Sequence, residues 1–148
     1  MDQLDRVRDL VAREHGLAVL TTQRADGSMP ASVVNAGVLE HPVTGSPVVA
    51  LVARGGTKKL ANLRARPRAT VVFRVGWEWA AVEGNVELVG PDDPLAGFDS
   101  GAVPTLLRDV FVAAGGTHDD WDEYDRVMAE QRRTAVLVRP DRVYSNPG

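Results

Sequence analysis

Short apolar segments separated by tight-turn signals run through most of the chain, and this pattern limits the folds that it can adopt. An Asp-Gly pair at 26–27 is typical of a hairpin turn, and the six apolar residues 48–53 are typical of a strand covered on both faces. Gly84 predicts a bulge or bend within a long strand. Because hairpin connections outnumber crossovers, we predict a mainly β protein: an antiparallel barrel of six or more strands with α-helical caps. The predicted strands cover residues 17–22, 30–39, 48–53, 69–75, 77–89 and 134–138, and the last is extended to Tyr144.

Helical segments are predicted at the start, in the middle and near the end of the chain. Apolar residues at positions 4, 7, 10 and 11 recur at helical spacing and indicate an amphipathic opening helix that ends near Gly16. A helix that starts at Lys58 should stop before Pro67, because the residue before a proline avoids the helical region. No linker, repeat or low-complexity tract divides the chain, so we expect residues 1–148 to form a single domain. The remaining helical segments are predicted over 95–114 and 121–131.

The composition excludes several kinds of chemistry. The chain has no cysteine, which excludes disulfides, thiolate metal sites and cysteine nucleophiles. The three histidines lie far apart without the spacing of paired ligands, so we expect no metal site. No segment approaches the ~20 apolar residues of a membrane span, and the N-terminus lacks the pattern of a signal peptide. We therefore expect a cytoplasmic protein with no membrane association. The net charge of −3 argues against a nucleic-acid binder.

Positive charge is concentrated in one segment. Residues 41–77 contain no Asp or Glu but hold seven of the seventeen Lys and Arg residues. At the centre of this segment, a strand ends in two glycines and a helix is predicted to begin with Thr57 as its N-cap. Unpaired N–H groups at that helix start, together with Lys58 and Lys59, suit a phosphate or another small anion. A solvated basic turn with a structural cap is the alternative, and the residues alone leave both interpretations open.

No set of residues predicts a nucleophilic site. The serines beside glycines lack the flanks of a nucleophile elbow, and residues 55–58 lack the glycine spacing and the Lys-Ser/Thr ending of a Walker loop. The acidic residues within 119–123 are better interpreted as a helix cap than as metal ligands. Trp77 and Trp79 share one face of a predicted strand. Two interpretations of this pair stay open: stacking on a flat ring system, or packing in the core or a subunit interface.

The order and spacing of these motifs resemble the pyridoxamine-phosphate-oxidase-like split-barrel superfamily of flavin and deazaflavin proteins. Within it, the chain is most similar to small actinobacterial oxidoreductases that use the deazaflavin coenzyme F420. The most specific part is Thr57-Lys58-Lys59, followed by Asn-Leu-Arg at 62–64 and a proline-containing turn at 66–68. The resemblance covers nearly the whole chain, through LAVLTT at 17–22, DGSMPASVV at 26–34 and VLVRPDRVY at 136–144.

The resemblance implies a split β-barrel that forms a homodimer, with two equivalent cofactor sites at the subunit interface. It also implies that strand residues contact the cofactor ring, that the start of the second helix binds the cofactor phosphate, and that an aromatic residue reaches towards the partner's cofactor. In this class the cofactor carries the hydride chemistry, so no side chain is expected to act as a catalytic acid or base. The implied cofactor-binding residues are Ser32, Val33, Val34, Asn35, Val52, Ala53, Arg54, Thr57, Lys58, Lys59, Asn62, Arg64 and Trp79.

The leading hypothesis is a reductase that transfers a hydride from reduced coenzyme F420 to a small conjugated organic substrate. An FMN-dependent oxidoreductase of the same fold is the first alternative. A non-catalytic protein that binds a flavin, a deazaflavin or a tetrapyrrole is the second, and an RNA-binding basic patch is the third. The chain ends in YSNPG and lacks the C-terminal Arg-x-His motif of the pyridoxamine phosphate oxidases proper, so oxidation of vitamin B6 is not expected.

Overall fold

The computed structural model describes residues 2–147, which form seven β-strands and four α-helices. A short 3-10 turn, Ser100–Ala102, precedes the third helix. No helix within this range is long and apolar enough to cross a membrane. The elements are α1 Asp5–Glu14, β1 Leu17–Thr21, β2 Ala31–Glu40, β3 Pro47–Ala53, α2 Lys58–Ala65, β4 Arg68–Val75, β5 Glu78–Val89, α3 Val103–Ala113, α4 Trp121–Glu130, β6 Thr134–Val138 and β7 Arg142–Ser145.

Six of the strands close into a barrel. Their order is β4-β1-β2-β3-β6-β5, and β5 pairs again with β4, so this ring has no free edge. The seventh strand, β7, pairs with β5 outside the ring. Every pairing is antiparallel, as the turn signals predict. The predicted split β-barrel with helical caps is therefore confirmed.

Strand β3 is buried on both faces because it separates two apolar clusters. Val49, Leu51 and Ala53 point into the barrel interior, where they pack with residues of the other strands and of α1. Val48 and Ala50 point to the opposite side and pack against α3 and α4. This alternation follows from the two-residue period of a strand. Residues 48–53 are all apolar because both faces of β3 are covered.

The C-terminal part contains two strands, so the prediction of one strand extended to Tyr144 is wrong. The chain turns at Pro140, where the Asp141 N–H donates to the Arg139 carbonyl at 2.9 Å. Proline has no N–H to donate to a sheet ladder, which favours a break at this point. As a result, β6 pairs with the end of β5, at residues 86–89, and β7 pairs with residues 80–83 of the same strand.

Gly84 lies where β5 passes from β7 to β6. The register between β4 and β5 continues through the pair Ala69 and Gly84 without an extra residue, so the structure has no bulge there. A Cβ at position 84 would lie 1.7 Å from the carbonyl oxygen of Arg139. Glycine is required at this position because another backbone approaches it closely.

Candidate functional site

The turn between β3 and α2 brings the start of α2 to the end of α4. The Gly55 N–H donates to the Gln131 carbonyl at 3.0 Å. Thr57 is the N-cap of α2 by position, as predicted, but its hydroxyl donates to the Arg54 carbonyl at 2.9 Å and does not cap the helix. The first-turn N–H groups of α2 therefore have no side-chain acceptor from the cap residue. Such groups favour an anion at this position.

A cavity of about 390 Å³, here called cavity A, lies between the sheet and the helical layer. One wall consists of strand and α2 residues that the sequence analysis had singled out. The opposite wall consists of residues from α3, α4 and the segment after α4. The lining residues are Val33, Val34, Asn35, Val52 and Lys59 on the first wall, and Val110, Phe111, Ala114, Tyr124, Met128 and Arg133 on the second.

A smaller cavity of about 210 Å³, here called cavity B, adjoins cavity A at the start of α2. Lys59 lines both cavities, and Ser32 in cavity B is next in sequence to Val33 in cavity A. Most of the residues that line cavity B carry hydroxyl, amide or cationic groups. Its lining residues are Leu20, Thr22, Arg24, Pro30, Ala31, Ser32, Thr57, Lys58, Lys59 and Asn62.

Five cations around the two cavities have no acidic partner within residues 2–147: Arg24, Arg54, Lys58, Lys59 and Arg133. Burial lowers the pKa of Lys59, and the nearby charge of Arg133 lowers it further. Burial also lowers the pKa of Arg133, with a second contribution from Arg54. The cations thus disfavour one another's charged forms. A bound anion would relieve this repulsion, which makes the junction of the cavities suited to a phosphate.

Tyr124 contributes its ring to cavity A but offers no proton there. Its hydroxyl donates to the Leu107 carbonyl at 3.0 Å, and burial raises its pKa to about 12. No other side chain in the lining of cavity A is a hydroxyl, a carboxylate or an imidazole. The cavity can therefore bind, orient and exclude water from a ligand, but its lining holds no carboxylate or imidazole to act as a general base.

The C-terminal end of α3 is held close to β2, which fixes the position of the second wall. A Cβ at Gly37 would lie 2.2 Å from the Ala113 carbonyl oxygen, so only glycine permits this approach. The Asn35 side-chain amide donates to the carbonyls of His15 and Ala114, the latter at 3.1 Å. With both amide hydrogens engaged in these bonds, the Asn35 carbonyl oxygen is left as the acceptor that this side chain can offer a ligand.

The sequence-predicted site residues divide into two groups. Nine of them line cavity A or B, and four do not. Arg64 forms two hydrogen bonds to Asp93, at 2.8 and 2.7 Å. Trp79 packs edge-on against Tyr144, with ring centroids 6.0 Å apart. Of the other two, Ala53 is buried in the barrel interior and Arg54 is exposed. The nine residues that the structure brings together are Ser32, Val33, Val34, Asn35, Val52, Thr57, Lys58, Lys59 and Asn62.

Sequence reasoning missed the second wall of cavity A. It named no residue of the helical region 95–130 among the site residues, and it gave no role to Arg133. The one available signal was the concentration of aromatic residues between 111 and 124. In the structure Phe111 lies 5.1 Å from Tyr124 and 6.1 Å from Trp121, measured between ring centroids. The acidic residues before α4 act as expected from the sequence, because the Asp120 carboxylate accepts the Glu123 N–H at 3.1 Å.

An apolar face on the outside of the sheet adjoins cavity A. The pairings of β1 with β2 and β4 place Val33, Val19 and Val72 side by side on this face. Val33 is 71% exposed and Val19 is 39% exposed, and Val33 also lines cavity A. Trp79 on β5 and Tyr144 on β7 continue the same face, since each lies on the outward side of its strand. Contiguous exposed apolar surface is typical of interaction sites.

Comparisons with known proteins agree with this fold. A family model described as pyridoxamine 5'-phosphate oxidase matches residues 4–146. A conserved hypothetical protein of Mycobacterium tuberculosis is 20% identical, with 98% of this chain and 84% of that chain covered and a TM-score of 0.65. An F420 reductase is 17% identical, with 86% and 88% covered and a TM-score of 0.58. An FMN-binding protein of Nostoc punctiforme, related to pyridoxamine 5'-phosphate oxidase, is 13% identical, with 97% and 79% covered and a TM-score of 0.60. At these identities the similarity supports the fold.

Proposed function

Because the chain belongs to the pyridoxamine 5'-phosphate oxidase family, we propose that it is an oxidoreductase that binds coenzyme F420 and reduces a small conjugated organic substrate. One observation carries this proposal: unpaired cations converge at one end of a cavity whose other end is apolar and aromatic. A phosphorylated, flat, conjugated cofactor combines the same two properties. When bound, such a cofactor supplies the hydride.

The residues of both cavities fit this kind of cofactor. Thr57, Lys58 and Lys59 in cavity B would hold the phosphate, together with the N–H groups at the start of α2. Val33, Val34 and Val52 in cavity A would contact one face of the ring system. The aromatic side chains of α3 and α4 would exclude water from the opposite side. In this proposal the roles of the protein are binding, orientation and water exclusion.

A deazaflavin is preferred to FMN because of the additional cations beside the phosphate position. Arg24 lines cavity B, and Arg54 lies beside Arg133 without an acidic partner in the described chain. They are available for the acidic tail that distinguishes the deazaflavin coenzyme. Arg64 is not, because Asp93 neutralises it. The F420 reductase of the same fold gives this choice support by analogy. FMN is the second candidate, since its phosphate suits Lys58 and Lys59 equally well.

A side-by-side titration of the apo-protein with oxidised coenzyme F420 and with FMN tests the proposal. Calorimetry at one salt concentration should give micromolar or tighter binding of the deazaflavin and much weaker binding of FMN. The reverse order would assign the protein to the flavin branch, and binding of neither would refute the proposed function. Turnover should then be measured with enones, quinones and nitroaromatic compounds. Tight binding without turnover of any of them would instead favour a cofactor carrier.

We further propose that the apolar face forms a homodimer interface beside the cofactor site. Replacing Val19 by aspartate is expected to raise the dimer dissociation constant at least about tenfold, because the carboxylate would be buried without a partner. Sedimentation equilibrium measures this change. Val43→Asp is the matched control, since Val43 is also exposed (46%) but lies in the turn after β2. A wild-type monomer, or a Val19→Asp dimer of unchanged stability, would contradict the assignment of this face.

A further inference from the structure

A third cavity, of about 510 Å³ and here called cavity C, lies along the face of α4 that neighbours cavity A. Its walls come from the loop after β5, the N-terminal half of α3, and α4. Met128 and Arg133 line both cavity A and cavity C, so the two cavities share a wall. None of the residues that the sequence analysis assigned to cofactor binding lines cavity C.

The size and lining of cavity C resemble those of sites for small molecules, which have volumes of roughly 300 to 1,000 Å³ and mainly apolar walls. Pro91 and Pro94 line it from the loop, Val103 and Leu107 from α3, and Ala129 from α4. These residues offer alkyl and ring carbons. Together with the thioether of Met128, which adapts to irregular shapes, they favour an apolar occupant.

The charged groups at cavity C are largely neutralised by one another. Arg132 forms a two-bond ion pair with Asp92, in which its Nε donates to the carboxylate at 3.0 Å. Asp125 is paired with Arg108, whose Nε donates to it at 2.9 Å. Arg133 belongs instead to the cations that surround Lys59. A cationic ligand would therefore find no free carboxylate to offset its desolvation, and Arg133, the one cation of this lining without an acidic partner, is shared with cavity A. The paired charges thus favour a neutral ligand.

The rim of cavity C includes a strained residue. Arg132 has a φ of +48°, in the left-handed region that residues with side chains rarely adopt. Its carbonyl oxygen would lie 2.7 Å from a Cβ at position 55, so the phosphate-side turn packs directly on this backbone. The ion pair with Asp92 holds the Arg132 side chain across the rim. This conformation ends α4, since the Arg132 N–H donates to the Ala129 carbonyl at 3.1 Å and the Arg133 N–H donates to the Met128 carbonyl at 3.0 Å, as in a left-handed helix C-cap.

From these observations we propose that cavity C is a second binding site, for a neutral apolar or aromatic small molecule. The site is separate from that of the proposed cofactor, and it does not depend on the identity of that cofactor. The volume suits a molecule of about one to three rings.

The test uses the neutral fluorescent probe N-phenyl-1-naphthylamine and the full chain. Wild type should show saturable binding of one probe per chain, with a Kd of roughly 1 to 100 µM. Ala129→Trp fills cavity C from the exposed side of α4 and should raise this Kd at least about tenfold. Ala61→Trp is the matched control, because Ala61 is an exposed alanine of α2 that lines none of the three cavities. Its Kd should stay within about twofold of wild type.

Two further measurements complete the test. Pro94→Trp fills the same cavity from the loop and should weaken probe binding as Ala129→Trp does, which protects the conclusion if one variant folds poorly. In competition, 2-naphthalenemethanol should displace the probe, and the cation 2-naphthalenemethylamine should do so at least about tenfold less effectively. Unsaturable binding, unchanged affinity in both filled variants, or equal competition by the cation would overturn the proposal. Because the readout needs no cofactor, failure here is distinct from failure of the proposed function.

Discussion

Replacing Lys59 by alanine is expected to weaken binding of the phosphorylated cofactor roughly ten- to 150-fold, which corresponds to about 1.5 to 3 kcal/mol for a lost charged hydrogen bond. Lys59 lines both cavity A and cavity B, is half-buried, and has no acidic partner among the described residues. Its ammonium group is therefore available to an anion and poorly hydrated before the anion binds. Calorimetric titration of the variant with coenzyme F420 and with FMN measures the effect.

Arg64→Ala is the control for this prediction. Arg64 belongs to the same helix and the same basic segment, but it is bound to Asp93 and lines neither cavity A nor cavity B. Its removal should change the cofactor Kd by less than about twofold, since an exposed ion pair outside the cavities contributes little to the binding free energy. An equal loss in both variants would indicate general attraction by the basic segment. An unchanged Kd in Lys59→Ala would remove Lys59 from the site.

The sequence was sufficient to predict the barrel because its turn residues and apolar patterns agree with the turns and the buried faces of the structure. The Asp-Gly turn at 26–27 joins β1 and β2 as expected, and β3 is covered on both faces as its unbroken apolar run predicts. The opening helix ends with His15 in a left-handed conformation, one residue from the predicted glycine. Each of these features depends on residues that are close in sequence, where turn chemistry and periodicity decide the structure.

Half of the candidate site could not be predicted, because it depends on contacts between distant segments. The anion-binding half follows from consecutive residues, Thr57 to Lys59, at one helix start. Arg133 reaches the same place only because β6 pairs with β3, with Thr134 opposite Ala53. Likewise, α3 lines cavity A only because Gly37 permits its close approach. Hydrophobic periodicity within these segments predicts neither the pairing of β6 with β3 nor the approach of α3 to Gly37.

The error in the prediction of the final strand has its origin beside Gly84. The pattern predicted one long final strand, whereas the chain reverses at Pro140 and β6 and β7 pair with different parts of β5. The Asn85 N–H donates to the Asp141 carboxylate at 2.9 Å, and the Arg139 N–H donates to the Asn85 carbonyl at 2.9 Å. Gly84 is thus surrounded by the backbone that separates β6 from β7, an arrangement that no local motif encodes.

Replacing Gly84 by alanine is therefore expected to destabilise the fold by at least about 3 kcal/mol, towards the upper end of overpacking effects. The new Cβ would lie 1.7 Å from a backbone oxygen, that of Arg139, so no side-chain rotation relieves the contact. Backbone movement would disturb the pairings of β5 with both β6 and β7. The midpoint of thermal unfolding should fall by roughly 6 to 12 °C, as expected for a domain of this size.

Gly101→Ala separates this contact from the general cost of replacing glycine. Its new Cβ would lie 3.4 Å from the flexible Asp99 side chain, an ordinary contact, so the free energy of unfolding should change by less than about 0.5 kcal/mol. Urea denaturation of both variants gives the comparison. Similar stability of Gly84→Ala and wild type would mean that the Arg139 backbone can move away at little cost. The junction of β5, β6 and β7 would then be adaptable, and its tight packing would not explain why the final strand is divided at Pro140.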